Sequence, residues 1–269
     1  MWRAFGLTAL FTLAQGASEL SLAACSRVIE APLAAVGLSV TVDGRLPGGV
    51  YPELLRGIAK EGCDFAFSVV PRARQEAMFE AGKADLLIPA SRSSRRDQFG
   101  LFVPLIFARA TLISLRSERP AITSLDELLE RKELRVALVR GFDYGDAYRS
   151  LLSELREQRR LSLEVDALAV ARSLSSGMSD LTIMAPSILV GAISAEPRYQ
   201  ALLERLRYEP VEELPWADSG AYLSRASLSD GDREALRELL ERSARTGAVW
   251  KAFQRNYPAG SLNGSIRPR

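Results

Sequence analysis

The chain has 269 residues, 47% hydrophobic and 25% charged, which is enough apolar material for one large or two small cores and too much for a disordered segment. Its 35 basic and 33 acidic residues are interspersed and leave a net charge of +2, without the basic stripe that tracks a nucleic-acid backbone. Histidine is absent and cysteine occurs only at Cys25 and Cys63, which excludes histidine-based nucleophile systems and thiolate zinc sites; no metal and no cofactor is expected.

At the N-terminus, Met1-Trp2-Arg3 is followed by an apolar run from Ala4 to Ala14 and by Gln15-Gly16-Ala17, the charged, apolar, small-residue order of a secretory signal peptide. The run is too short to span a bilayer. Residues 1–16 are therefore read as a signal and the mature chain as periplasmic. Leu22-Ala23-Ala24-Cys25 also fits a lipoprotein cleavage box, which would anchor the chain through a lipid on Cys25. Against the anchor, Glu19 puts a charge where such signals stay neutral, and Cys63 would lack a partner. A Cys25–Cys63 disulfide is preferred both to the anchor and to two buried thiols; closing that loop would stabilise the fold by about 4 kcal/mol in the chain-entropy account.

From there, short β-branched or aromatic runs alternate with helices of period 3.6. Strands are predicted at Val28-Ile29, Phe65–Val69, Asp85–Ile88, Ala110–Leu115, Arg135–Val139, Leu161–Val165 and Leu181–Met184. Tyr51, Leu54, Leu55 and Ile58 share one helical face, with Gly62 placed for a left-handed stop. A second helix closes at Met78 and Ala81 before Gly82. Ser124 with Glu127 forms a capping box for a third, and Tyr148, Leu151, Leu152 and Leu155 stripe a fourth. From Ser229 onward the pattern predicts a long helical segment broken near Gly247. The tail 258–269, rich in Gly, Ser, Pro and Asn, reads as disordered. The acidic doublets Asp126-Glu127 and Glu212-Glu213 read as solvated charge, and no convergent acid–base pair for an enzyme is visible.

Several fragments occur in a telling order. They are Gly49-Val50-Tyr51-Pro52-Glu53-Leu54-Leu55, then Ala81-Gly82-Lys83-Ala84-Asp85, then Ser91 to Arg96 with Phe102-Val103-Pro104-Leu105 read as a Pro-aromatic turn. Leu134–Gly141 with Phe142-Asp143-Tyr144, Gly177-Met178-Ser179-Asp180 and Asp218–Tyr222 follow. This order resembles family 3 of the bacterial extracellular solute-binding proteins, the polar-amino-acid type, from Arg27 to about Tyr257. The resemblance implies a two-lobed α/β clamp of the type II periplasmic-binding kind, with two mixed sheets flanked by helices and joined by two crossing strands. Residues 17–109 would form the first part of lobe 1, 110–217 lobe 2, and 218–257 the return strand and C-terminal helix of lobe 1.

The same resemblance places the family's ligand-carboxylate arginine at Arg95, whose planar fork suits a carboxylate. Ser91 and Arg92 join the candidate set from the same segment, although Arg92 and Arg96 read better as a solvated basic loop. Arg72 would add a second positive charge, and Gly141, Phe142, Asp143 and Tyr144 would supply the ligand loop of the other lobe. One departure concerns the ligand: the family's acidic partner for an ammonium falls at Ala185. The implied function is capture of a small anionic or zwitterionic solute by a monomer, for the membrane permease of an ABC importer or a membrane sensor. An enzyme on the same fold and a ligand-free interaction protein are the alternatives.

Overall fold

The computed structural model describes residues 24–43, 46–258 and 260–269, so the signal-like segment 1–16 lies outside the described residues. Among the described residues, no helix is long and apolar enough to cross a membrane.

The first part of the chain forms β1 (Ile29–Leu33), β2 (Thr41–Asp43), β3 (Leu46–Gly48), α1 (Val50–Ala59), β4 (Phe65–Val69), α2 (Arg72–Glu80), β5 (Leu86–Ser91), the single turn α3 (Ser94–Asp97) and β6 (Gly100–Ala108). β1 pairs in parallel with β4, while β2 and β3 make a small antiparallel hairpin. The second part forms β7 (Thr111–Leu115), α4 (Leu125–Glu130), β8 (Val136–Val139), α5 (Asp146–Glu157), β9 (Leu161–Glu164), α6 (Ala167–Ser175), β10 (Leu181–Met184), α7 (Pro186–Ser194), a 3₁₀ segment (Pro197–Arg205) and β11 (Leu206–Glu209). These five strands make one sheet in the order β11-β7-β10-β8-β9. Because strand side chains alternate, Val136 and Leu138 enter the core on one face of that sheet, and Ala137 and Val139 enter the core on the other.

The chain then returns. β12 (Ala217–Ser224), α8 (Asp230–Arg245), α9 (Ala248–Asn256) and β13 (Ile266–Arg267) rejoin the first lobe, whose main sheet has the order β13-β6-β12-β5. The two passages between lobes, 108–111 and 209–217, begin side by side, with Ala217 facing Ala108. The fold is therefore two α/β lobes, each with its own core, joined by two passages of chain; of the two mixed sheets expected, only that of lobe 2 is mixed, while the four-stranded sheet of lobe 1 is antiparallel and its parallel β1–β4 pair stands apart. Gly247, at φ +71°, breaks the C-terminal helical segment where a side chain would be strained.

The N-terminal segment is pinned to lobe 1. Cys25 is bonded to Cys63 after α1, Ser26 donates through its backbone N–H and hydroxyl to Asp232, and Arg27 forks onto Asp85 at 2.6 and 2.7 Å. Burial pushes the Asp85 carboxyl up, but the Arg27 hydrogen bond, with those of Ser227 and the Glu30 amide, holds it below the usual range.

Two expectations need correction. Phe102 to Leu105 is no turn but the middle of the nine-residue β6. Pro104 sits beside a bulge in β6: Ser219 faces Ile106 and Gly220 faces Pro104, so Leu105 is the extra residue and the ladder is already irregular next to the proline. Of the tail, expected to be disordered, residues 260–269 fold back onto lobe 1: Ile266 and Arg267 pair with Ala108 and Phe107, and Leu262 and Ile266 join the lobe 1 core. Its polar composition conceals two apolar anchors and one buried serine, Ser265.

Candidate functional site

α2 begins at Arg72 after the extended Pro71. Its 3.6-residue period turns Arg72, Gln75, Glu76 and Phe79 to the same buried side. The Gln75 amide donates to the carbonyls of Pro32 at 2.7 Å and Ile88 at 3.2 Å, fixing the helix between β1 and β5. Arg72 donates to the Pro89 carbonyl at 2.7 Å, the Gln75 side chain at 3.1 Å and Glu76 at 2.5 Å.

α3 supplies the second guanidinium. Ser93 caps it, its hydroxyl accepting from the Arg96 backbone N–H, so the side chain three positions on faces inward. Arg96 is 2% exposed and forks onto Glu76 through Nε at 3.2 Å and Nη2 at 2.7 Å, while Nη1 donates to the Ser91 carbonyl at 2.8 Å. Burial pushes the Glu76 carboxyl up, yet the charges and hydrogen bonds of the two arginines outweigh it and hold it below the usual carboxylate range. The cluster Arg72–Glu76–Arg96 thus carries a formal charge of about +1 at neutral pH, since arginine does not deprotonate in proteins. Arg72 Nε is buried with no hydrogen-bond partner among the described residues.

Both arginines line a cavity of about 60 Å³ between the lobes. Lobe 1 adds Ser39, Tyr51, Ser91, Ile106, Ser219 and Ile266; lobe 2 adds Phe142, Asp143, Tyr144, Ala185, Ser187 and Ile188. Burial pushes the Tyr51 and Tyr144 phenols well up, so both hydroxyls remain protonated across the physiological range. Asp143 is already engaged: Arg149 Nη1 donates to both of its oxygens at 3.0 Å, and the Gly145 N–H donates at 2.9 Å. A larger open groove of about 860 Å³ shares Arg72 with the cavity and runs along the lobe boundary past Val42, Val69 and Val165.

The lobes are closed on this cavity. Arg96 Nη2 reaches the Gly141 carbonyl at 3.5 Å and Arg149 Nη2 reaches Ser94 Oγ at 3.1 Å. At Gly191 on α7 a Cβ would sit 2.4 Å from the Leu38 nitrogen, and at Gly37 it would sit 2.6 Å from the Ile188 carbonyl oxygen. Backbone meets backbone there because neither glycine carries a side chain.

Of the residues singled out from the sequence, Arg72, Ser91, Phe142, Asp143 and Tyr144 line the cavity, and Gly141 borders it through its carbonyl. Arg95 and Arg92 do not. Arg95 points off the other side of α3, is half exposed and pairs with Glu80 at 2.6 Å, and Arg92 pairs with Asp97 at the surface. The inward guanidinium is that of Arg96, one residue further on. Ser93 could have indicated it, since an N-cap fixes which helical positions turn inward. Glu76 was missed because an Arg72–Glu76 spacing of i,i+4 ordinarily describes an exposed helix face.

Topology and cleft together define a two-lobed periplasmic-binding-protein fold. Solved structures of that fold resemble this chain closely in shape. One is a histidine kinase sensor domain with similarity to periplasmic binding proteins: TM-score 0.69, 19% identity, 91% of this chain and 99% of that one covered. Another is an amino acid ABC transporter substrate-binding protein from Streptococcus pneumoniae bound to L-arginine: TM-score 0.67, 19% identity, 85% and 93% covered. A third is a putative L-cystine ABC transporter protein from Listeria monocytogenes: TM-score 0.68, 18% identity, 87% and 97% covered. No protein-family model matches the sequence, and no curated protein matches it either.

Proposed function

We propose that this chain is an exported solute-binding protein that closes two lobes around a small carboxylate-bearing molecule and presents it to an ABC importer or a membrane sensor. The observation that carries the reading is the buried Arg72–Glu76–Arg96 cluster: a net positive charge, held rigidly at the wall of an inter-lobe cavity, with one guanidinium N–H lacking a partner. A carboxylate entering there would neutralise the excess charge and accept from donors already in place, at a net gain of about 1.5–3 kcal/mol per charge-assisted hydrogen bond.

An ammonium has no such reception. The position expected to carry an acid is Ala185, and Asp143 is held by Arg149. The similar structures include one bound to L-arginine, but here the cavity wall is positive, and a ligand with little cationic character fits it better. Asp143, the carboxylate among the cavity's lining residues, is held by Arg149, and Glu76, behind the two arginines, is held by both of them; with both carboxylates paired to arginine, a binding role is supported over an enzymatic one.

A thermal-shift screen of the mature chain tests this. A specific ligand at 100 times its Kd adds about 2.7 kcal/mol of stability. Simple carboxylates should raise Tm while lysine and arginine leave it unchanged. A screen in which basic amino acids stabilise and carboxylates do not would overturn the reading.

A further inference from the structure

α7 starts without a cap of its own. Ala185 at its N-cap has no side-chain oxygen, Pro186 has no N–H, and the Ser187 N–H is one of the donors that a helix leaves unmatched at its start. The missing partner comes from the other lobe, 78 residues further along the chain: Ser265 Oγ accepts from the Ser187 N–H at 2.8 Å and donates to Ser187 Oγ at 2.8 Å. Both serines are buried.

Ser265 is held in that position from lobe 1 and from both inter-lobe passages. Gly264, at φ +69°, turns the chain so that the Ser265 and Ile266 N–H groups donate back to the Leu262 carbonyl at 3.1 and 3.0 Å. Leu262 and Ile266 sit in the lobe 1 core, and Ile266 and Arg267 pair with Ala108 and Phe107 at the end of β6. On the first passage the Arg109 N–H donates to the Ser265 carbonyl at 3.0 Å. On the second, the Trp216 ring centre lies 4.6 Å from the Arg267 guanidinium, which is also 4.9 Å from the ring centre of Phe107. Arg269 pairs with Asp218 near the start of β12.

From this geometry we infer that residues 262–269 are a strap across the hinge that biases the two lobes towards closure. Lobe 1 carries the strap, and Ser265 is its hook on lobe 2. When α7 moves away with lobe 2, the Ser187 N–H and the Ser265 hydroxyl part, and two groups matched inside the protein must find water instead. The contacts to Arg109 and Trp216 act on the same equilibrium, since both residues lie on the passages that change when the lobes open. A strap shifts the closed population by the difference in its contacts between the two forms, so loss of the hook opens the molecule and leaves each lobe folded. Closure by this means does not depend on which molecule the cleft binds.

Hydrogen exchange and small-angle scattering of the whole chain, with no solute added, test the strap together. Ser265→Ala should speed exchange of the Ser187 amide by about tenfold and enlarge the radius of gyration, with circular dichroism unchanged. Arg267→Ala, at an exposed position that spares the core, should enlarge the radius by less. Ser265→Ala combined with Ala185→Ser gives α7 a cap within its own lobe. That double variant should regain slow exchange in the first turn of α7 while its radius stays enlarged, because the tie between lobes is still missing. A wild-type radius in both Ser265→Ala and Arg267→Ala overturns the inference. So does a radius that returns to the wild-type value once the local cap is added, which would make Ser265 a helix cap and nothing more.

Discussion

Glu76 faces two guanidinium groups with a single carboxylate, 7% exposed, and so sets the charge of the cavity wall. Removing its charge would leave two buried arginines opposed, and breaking a buried ion pair by deleting one partner typically costs about 3–5 kcal/mol. Glu76→Gln should therefore lower Tm substantially. It should also change the pH dependence. The Glu76 carboxyl is held below its usual range by Arg72 and Arg96 against the upward push of burial. Its contribution is thus present above the ordinary glutamate pKa of about 4.3 and is lost as pH falls through the lower folded value. Acid unfolding followed by circular dichroism should show a shallower loss of stability below about pH 4.3 in Glu76→Gln than in the wild type. Equal slopes in the two proteins would mean that Glu76 is not held as described. The neighbouring arginines differ in kind: Arg96 is enclosed and forked onto Glu76, whereas Arg95 makes a half-exposed pair, a type worth about 0–1 kcal/mol.

Among the elements, α7 bears most directly on closure. Its Gly191 allows the helix to lie against the backbone of Leu38 in the other lobe. Alanine is the better helix former by about 1 kcal/mol, so Gly191→Ala should leave Tm unchanged or raised. Its methyl would nevertheless collide with the Leu38 nitrogen and hold the lobes apart. Small-angle scattering should give a larger radius of gyration for the variant than for the wild type; identical profiles would mean that closure does not use this contact.

The elements differ in how plainly the sequence announces them. The strands at Phe65–Val69 and Leu181–Met184 are mostly apolar runs found at the predicted bounds, and the alternating Leu161–Glu164 is found one residue shorter than the predicted Leu161–Val165. The Ser124 cap is present, although Glu127 reaches past it to the Thr123 N–H at 2.8 Å. β6 was hidden by Pro104, because a proline in a run argues against a strand unless it sits at a bulge, and the bulge at Leu105 exists only in the pairing with β12, which is distant in sequence and leaves no local trace. β13 was hidden by composition: two paired residues among Gly, Ser and Asn have no period to read. At the site, loop Gly141–Tyr144 was legible as a glycine-flanked turn ahead of a helix. The choice between Arg95 and Arg96 was not, since it depends on the phase of a four-residue helix.

At the scale of the whole molecule, the two lobes have separate cores that meet across the cavity, and the chain joins them twice. Such an arrangement can open by small dihedral changes at 108–111 and 209–217 without disturbing either core, the general behaviour of hinged binding proteins. The Cys25–Cys63 bond and the Arg27–Asp85 fork lie far in sequence from these passages and brace lobe 1 alone. In the closed form Arg96 of one lobe reaches Gly141 of the other, and in the proposed function the guanidinium pair is the fixed anchor of the bound molecule. The most direct test is calorimetric affinity for the best-binding carboxylate in Arg96→Lys and Arg95→Ala. Lysine keeps a charge for Glu76 but loses the fork, so Arg96→Lys should bind at least about tenfold more weakly, a loss of about 1.4 kcal/mol. Arg95→Ala should match the wild type. Undiminished affinity in Arg96→Lys, or a loss confined to Arg95→Ala, would contradict the account.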